Sequence, residues 1–295
     1  MVRPPYAQQS DSFSERLQVT RLSLYPLPKR PGVLKPPTRQ AVRDSYENRW
    51  AGTHDQVAAA ISNGERDLSR LVHGAPDKGW PTTPETEVLY DLIRSRLSIF
   101  RLRRDLAADQ IIENLAPDTD AIIETGAGWG SNLFRVWLRG GPDVPYHCLE
   151  LAETGRQTCE LIARSAAAAP RMATAAFDFY QPDFSSVAGQ YQHPLVFSCA
   201  SIDKVNPLPA SYIDDLLDIA PQVTVVSMEF LSWQLALEEG RTEDDAIAHV
   251  RGSGLNENFL PLLRRFESEG RIAVEETVPS ILGPHVTYMR WSKLA

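Results

Sequence analysis

The sequence predicts an α/β protein built on a doubly wound, mostly parallel sheet. Two observations lead there. Beyond Pro117, short apolar runs alternate with amphipathic stretches, the spacing expected when each parallel strand is followed by a helix that covers it. The chain then changes habit at its end. Arg271–Val278 and Val286–Trp291 are both rich in β-formers, and only Pro279-Ser280-Ile281-Leu282-Gly283-Pro284 separates them, which predicts a closing antiparallel hairpin.

Taken in order, residues 1–40 read as an arm. Pro4, Pro5, Pro26, Pro28, Pro31, Pro36 and Pro37 block regular helix there, and Arg3, Arg16, Arg21, Lys29, Arg30, Lys35 and Arg39 outnumber Asp11 and Glu15. Residues 41–116 read as a helical cap. Its two helical stretches, Gln40–Val72 and Thr86–Leu115, flank the breaker-rich linker His73–Pro81, and Leu89, Ile93, Leu97 and Phe100 share one face of the second. Residues 117–295 read as the sheet domain. Strands are expected near 121–125, 146–151, 172–179, 195–200 and 223–230, with helices at Ser131–Leu138, Thr154–Ser165, Ser211–Ile219 and, longer, near 242–268.

A formal charge of −8 and a pI near 5.3 argue against nucleic acid as the partner, because phosphate binding needs concentrated Lys and Arg. No apolar run approaches the ~18 residues a membrane span needs. Cys148, Cys159 and Cys199 lack metal-ligand or disulfide-framework spacing, so no metal is expected. Met1–Gln9 has no apolar signal core, which makes the cytoplasm the expected location. A small-molecule substrate is the expected partner, and a homodimer is left open.

The chemistry gathers at strand ends. Ala121-Ile122-Ile123 runs into Glu124-Thr125-Gly126-Ala127-Gly128-Trp129-Gly130-Ser131, a strand, a glycine loop and a helix start in succession. A dinucleotide fingerprint would require glycine at 131, where serine stands, and the carboxylate of Glu124 would repel a pyrophosphate while suiting a cationic amino group. Glu150 closes the second strand roughly 20 residues on, where a carboxylate can accept both ribose hydroxyl protons. Phe177-Asp178-Phe179 follows the third, an acid for an adenine amino group between aromatic rings.

With these residues in this order, the chain from about 117 to 295 resembles the class I S-adenosylmethionine-dependent methyltransferases, whose fold is Rossmann-like with a terminal antiparallel hairpin. The resemblance implies S-adenosyl-L-methionine as cofactor. It implies a cofactor site made by Glu124, Thr125, Gly126, Ala127, Gly128, Glu150, Leu151, Asp178, Phe179 and Ser198. The tracts Phe197–Val205, Met228–Gln234 and Asn256–Leu263 are also similar to bacterial sugar and small-molecule O-methyltransferases.

Transfer to oxygen calls for a base near the reacting methyl group. Asp203, after the fourth strand, is the first candidate, with a turn cap as the competing role. Glu229 ends an otherwise apolar fifth strand, where a carboxylate must be paired or used, and His285 opens the last strand. Trp129, Trp233, Asn256 and Asn258 are candidate pocket residues, and Arg94, Arg96, Arg101, Arg103 and Arg104 are read mainly as a solvated helix face. The expected function is methylation of an oxygen of a polar small molecule. The rivals are N- or C-methylation of a peptide or amino-acid-like substrate and a catalytically silent partner-binding subunit; Ser131 and Glu124 count against an NAD-dependent oxidoreductase.

Overall fold

The computed structural model describes residues 38–74, 99–240, 254–278 and 286–294, with the backbone alone at 99–103. The proline-rich arm up to Pro37, the linker beyond Gly74, and His285 lie outside the described residues.

Seven strands make one sheet: β1 (Ala121–Thr125), β2 (Tyr146–Glu150), β3 (Met172–Ala176), β4 (Pro194–Cys199), β5 (Thr224–Glu229), β6 (Ile272–Val278) and β7 (Thr287–Lys293), in the order β3-β2-β1-β4-β5-β7-β6. β1 to β5 run parallel, and β7 lies antiparallel between β5 and β6. This is the Rossmann-like sheet with the terminal antiparallel pair that the sequence predicts. The described helices are α1 (Arg39–Ser62), α2 (Leu68–Gly74), α3 (Ile99–Glu113), α4 (Ser131–Leu138), α5 (Glu153–Ser165), α6 (Ser211–Leu217), α7 (Ser232–Glu238) and α8 (Phe259–Ser268).

Alternation along the central strands feeds two cores, one on each face of the sheet. Ile122, Leu195, Phe197 and Val226 point toward Leu133 and Phe134 of α4, Ile162 of α5 and Ile111 of α3. Ile123, Val196 and Val225 point the other way, toward Ile213 and Leu216 of α6 and Phe259, Leu263 and Phe266 of α8. The central strands are therefore covered on both faces, and their open ends become the place for chemistry. Strand order reverses at β1, whose neighbours are β2 and β4, so the crevice beyond the carboxyl ends of these strands is the binding position this architecture offers.

Several expectations need correcting. The first helical stretch is two helices, because Asn63 and Gly64 end α1 and Gly64 takes φ 91°. The third strand stops at Ala176, and Phe177–Tyr180 is a turn in which Asp178 bridges Gln181. The long helix near 242–268 is, among the described residues, only Phe259–Ser268; residues 254–258 form a tight non-helical turn, and 241–253 lie outside the described residues. Asn256 explains that turn, since its side-chain oxygen accepts the N–H groups of Asn258 and Phe259 and starts α8 there.

Candidate functional site

The site begins where β1 ends. Gly126 has φ 69° and Gly128 φ 59°, left-handed conformations that glycine adopts without a side-chain penalty. Both are also close approaches. A Cβ on Gly126 would lie 2.5 Å from Ser201 Cβ, and one on Gly128 would lie 2.8 Å from the Trp50 ring. The loop is pinned from β2: Gly126 and Ala127 donate to Leu149 O, and Gly128 N–H donates to Glu150 Oε2 at 2.7 Å.

Two carboxylates face one cavity from adjacent strand ends. Glu124 is 1% exposed; its Oε1 accepts from Asn132 Nδ2 at 2.6 Å, and its Oε2 has no partner. Burial pushes the Glu124 carboxyl up to about 8, against the pull of Asn132 and of Arg104, whose guanidinium donates to Ser131 Oγ and Asn132 Oδ1. Glu150 is also buried and raised to about 7 by desolvation, although Gly128 N–H and Ala152 N–H each donate to one of its oxygens. Each carboxylate oxygen has a second lone-pair direction, so Glu150 retains acceptor capacity. Asp178 accepts from Tyr180 N–H and pairs with the Arg39 guanidinium, which also donates to Gln181.

The far wall follows β4. Ala200 takes φ 51°, strained for a residue with a side chain, and turns the chain so that Ser201 meets the glycine loop. Glu229 fixes this turn from below. It is fully buried and accepts Ser201 N–H at 3.0 Å, Ile202 N–H at 3.2 Å and the Ser201 hydroxyl at 3.3 Å. Burial and the neighbouring Asp203 raise it to about 8.

Helix α1 closes the cavity with Arg39, Val42, Tyr46, Arg49 and Trp50. Only Thr53 and Val57 of this helix are buried, so polar contacts do much of the docking. Glu47 accepts the N–H groups of Glu153 and Thr154 and the Thr154 hydroxyl at the start of α5, where the helix dipole favours an anion. Glu47→Ala should cost about 1 kcal/mol of that docking, the scale of a lost cap. Hydrogen exchange of the α1 amides would read this as about fivefold faster opening, and unchanged exchange would mean that Glu47 does not hold the helix.

A cavity of about 160 Å³ lies between these walls and opens to solvent. Of the residues expected to hold a cofactor, Glu124, Gly126, Ala127, Gly128, Glu150, Leu151, Asp178 and Phe179 line it. Thr125 and Ser198 do not; Thr125 instead points its hydroxyl to Tyr212, and Ser198 is buried. The expected base positions lie off the wall as well. Glu229 is spent on backbone amides, and Asp203 is buried behind Lys204, whose ammonium it pairs at 3.1 Å. Trp129 lines the cavity, whereas Trp233 packs with Ala236, Leu237 and Leu255. Asn256 and Asn258 bind Val205 and Leu208, which tie two loops together. Arg104 leaves the solvated face expected for it and reaches the cavity, while Arg94 and Arg96 lie outside the described residues and nothing is described of the side chains of Arg101 and Arg103.

Sequence reasoning missed Arg39, Tyr46, Arg49, Trp50 and Asn132. The one local signal for Tyr46, Arg49 and Trp50 was an aromatic pair at i and i+4 with an arginine beside it on a polar helix.

No protein-family model matches the chain, and no curated protein matches it. Among solved structures, magnesium protoporphyrin IX methyltransferase from Synechocystis is similar at 12% identity and TM-score 0.48, over 88% of this chain and 100% of that one. A SAM-dependent methyltransferase from Aquifex aeolicus is similar at 11% identity and TM-score 0.47, over 68% and 100%. A structure described as a zinc-dependent alcohol dehydrogenase from Rhodobacter sphaeroides is similar at 14% identity and TM-score 0.41, over 64% and 89%. Identities this low carry no argument about chemistry, which rests on the side chains of the site.

Proposed function

We propose that this protein is an S-adenosylmethionine-dependent methyltransferase acting on an oxygen of a polar small molecule, such as a sugar or secondary metabolite. The observation that carries the proposal is the unpartnered, fully buried Oε2 of Glu124 on the cavity wall, set beside the glycine loop and one strand from Glu150. A ligand with a cationic amino group at one end and vicinal hydroxyls farther along satisfies both carboxylates.

The residues present fit the cofactor at three points. Glu124 would take the amino group, the cavity beside the glycine loop would admit the body of the molecule, and Glu150 would accept from the ribose. Asp178 fits less simply, since an adenine amino group would share it with Arg39. When bound, S-adenosylmethionine supplies an electrophilic methyl group on a sulfonium. The chain's own part is to hold the acceptor in line and exclude water, with Ser201, Lys204 and Tyr46 on the wall available to orient it and α1 as cover. The buried Asp203 would act on an acceptor proton only through Lys204, as a positioning residue. A cytoplasmic setting belongs to the same proposal, and the three cysteines are free thiols. The cover of α1 and its Arg39–Asp178 contact favour one second reading, a silent partner-binding subunit whose cavity stays closed.

Calorimetric titration with S-adenosylmethionine and S-adenosylhomocysteine decides between these readings. Binding should weaken about tenfold in Glu150→Gln, which loses one carboxylate acceptor. A folded wild-type protein that binds neither ligand would remove the enzyme reading and leave the silent subunit.

A further inference from the structure

Resting on the methyltransferase reading, we propose that the acceptor carries an oxyanion, a carboxylate or a phosphate, and that Arg49 is the residue that selects it.

A groove beside α1, lined by Val42, Ser45, Tyr46, Asn48, Arg49 and Lys204, adjoins the cofactor cavity and shares Val42, Tyr46, Arg49 and Lys204 with it. The two spaces share their cations Arg49 and Lys204 and differ in their acids. Glu124, Glu150 and Asp178 line the cavity, whereas no carboxylate lines the groove among the described residues. On a chain of net charge −8, a groove with two cations and no acid is a local reversal of sign.

Arg49 is built for recognition. Its guanidinium carbon lies 5.3 Å from the centroid of the Trp50 ring and 6.0 Å from that of Tyr46, and these two rings stack at 6.3 Å. Held by aromatic faces, the guanidinium keeps its edge donors free for a planar oxyanion. Arg49 forms no ion pair with a described carboxylate, and its side chain is exposed. Lys204 spends one donor on Asp203 Oδ2 and has two left. Asp203 itself is 4% exposed, behind the turn, and does not line the groove. An anion seated on Arg49 would leave the rest of the acceptor directed past Tyr46 into the cavity, which meets the groove at Val42, Tyr46, Arg49 and Lys204.

The test titrates benzoate, inorganic phosphate and neutral benzamide into the full-length protein, with and without S-adenosylhomocysteine. Wild type is compared with Arg49→Gln and Arg49→Lys by calorimetry, and melting curves confirm folding. At least one anion should bind wild type about tenfold more tightly than Arg49→Gln, with partial recovery in Arg49→Lys and with benzamide indifferent to all three proteins. Which anion binds better separates a carboxylate acceptor from a phosphorylated one. Equal binding of both anions by wild type and Arg49→Gln, or benzamide binding as tight as benzoate, would overturn the proposal. Arg49-dependent anion binding by a protein that ignores S-adenosylhomocysteine would keep the groove and remove the cofactor; the opposite pattern would keep the cofactor and remove the groove.

Discussion

Gly126→Ala is expected to abolish cofactor binding and to lower stability by about 2–5 kcal/mol, from two costs of different origin. The first is conformational. Gly126 sits at φ 69°, where an L-residue loses about 1–2 kcal/mol to contact between its Cβ and the backbone. The second is packing, because the new Cβ would be 2.5 Å from Ser201 Cβ, 2.9 Å from Ser201 Oγ and 3.1 Å from the Phe179 ring. Ser201 cannot easily retreat, since Glu229 accepts both its N–H and its hydroxyl. The strain must pass into the glycine loop or into the turn after β4, and both are walls of the cavity. Gly140→Ala separates the two costs. Gly140 has φ 94° with no atom within 4 Å of a built Cβ, so alanine there should cost only the conformational part, about 1–2 kcal/mol, and leave binding intact. Equal effects at the two positions, in melting temperature and in affinity for S-adenosylhomocysteine, would show that the contact with Ser201 is unimportant.

Affinity for S-adenosylmethionine should rise steeply between about pH 6 and pH 8 and then level off. Glu124 is raised to about 8 by burial, so in the free protein it is mostly protonated at neutral pH. A cationic amino group requires the carboxylate, and binding must therefore release a proton below pH 8. The weakening approaches tenfold for each pH unit below that value, until the lower pKa of the complex is reached. Calorimetry in two buffers with different ionisation heats would detect the released proton directly. Glu124→Gln should flatten the profile, and a flat wild-type profile would dismiss Glu124 as the amino-group site.

The same groups set the stability of the free protein. Glu124, Glu150 and Glu229 hold their protons more tightly folded than unfolded, with values near 8, 7 and 8 against an unfolded value of 4.5. Their contribution is complete below about pH 4.5 and is lost as pH rises through 7 to 8. The melting temperature of the free protein should therefore fall across that interval, and S-adenosylmethionine should oppose the fall by engaging Glu124 as the carboxylate.

The sheet was legible because its residues obey local rules with little competition. Ile122, Ile123, Val196 and Val225 need burial on both faces, so their apolar runs placed β1, β4 and β5 to within a residue. The third strand was overextended because Phe177 and Phe179 are as apolar as strand residues, and only their packing against Phe184 and Tyr212 reveals the turn. The cavity acids were legible for a related reason: Glu124 and Glu150 are charges at the ends of buried strands, where a carboxylate stands out against its neighbours. Glu229 stood out in the same way, and its chain position could not tell a substrate partner from the backbone amides it meets in the fold.

By itself, then, the sequence determined the order of strands and helices, the glycine loop, and which strand ends carry acids, since each is written in residues adjacent along the chain. Tertiary structure alone decided which of those acids face open space, and that α1 forms the fourth wall. Arg39 meets Asp178, Glu47 meets the start of α5, and Trp50 covers Gly128, all across separations of about a hundred residues or more, except the last, which spans 78. No periodicity in a largely polar helix encodes such contacts, because their partners are chosen by how the whole sheet twists beneath them.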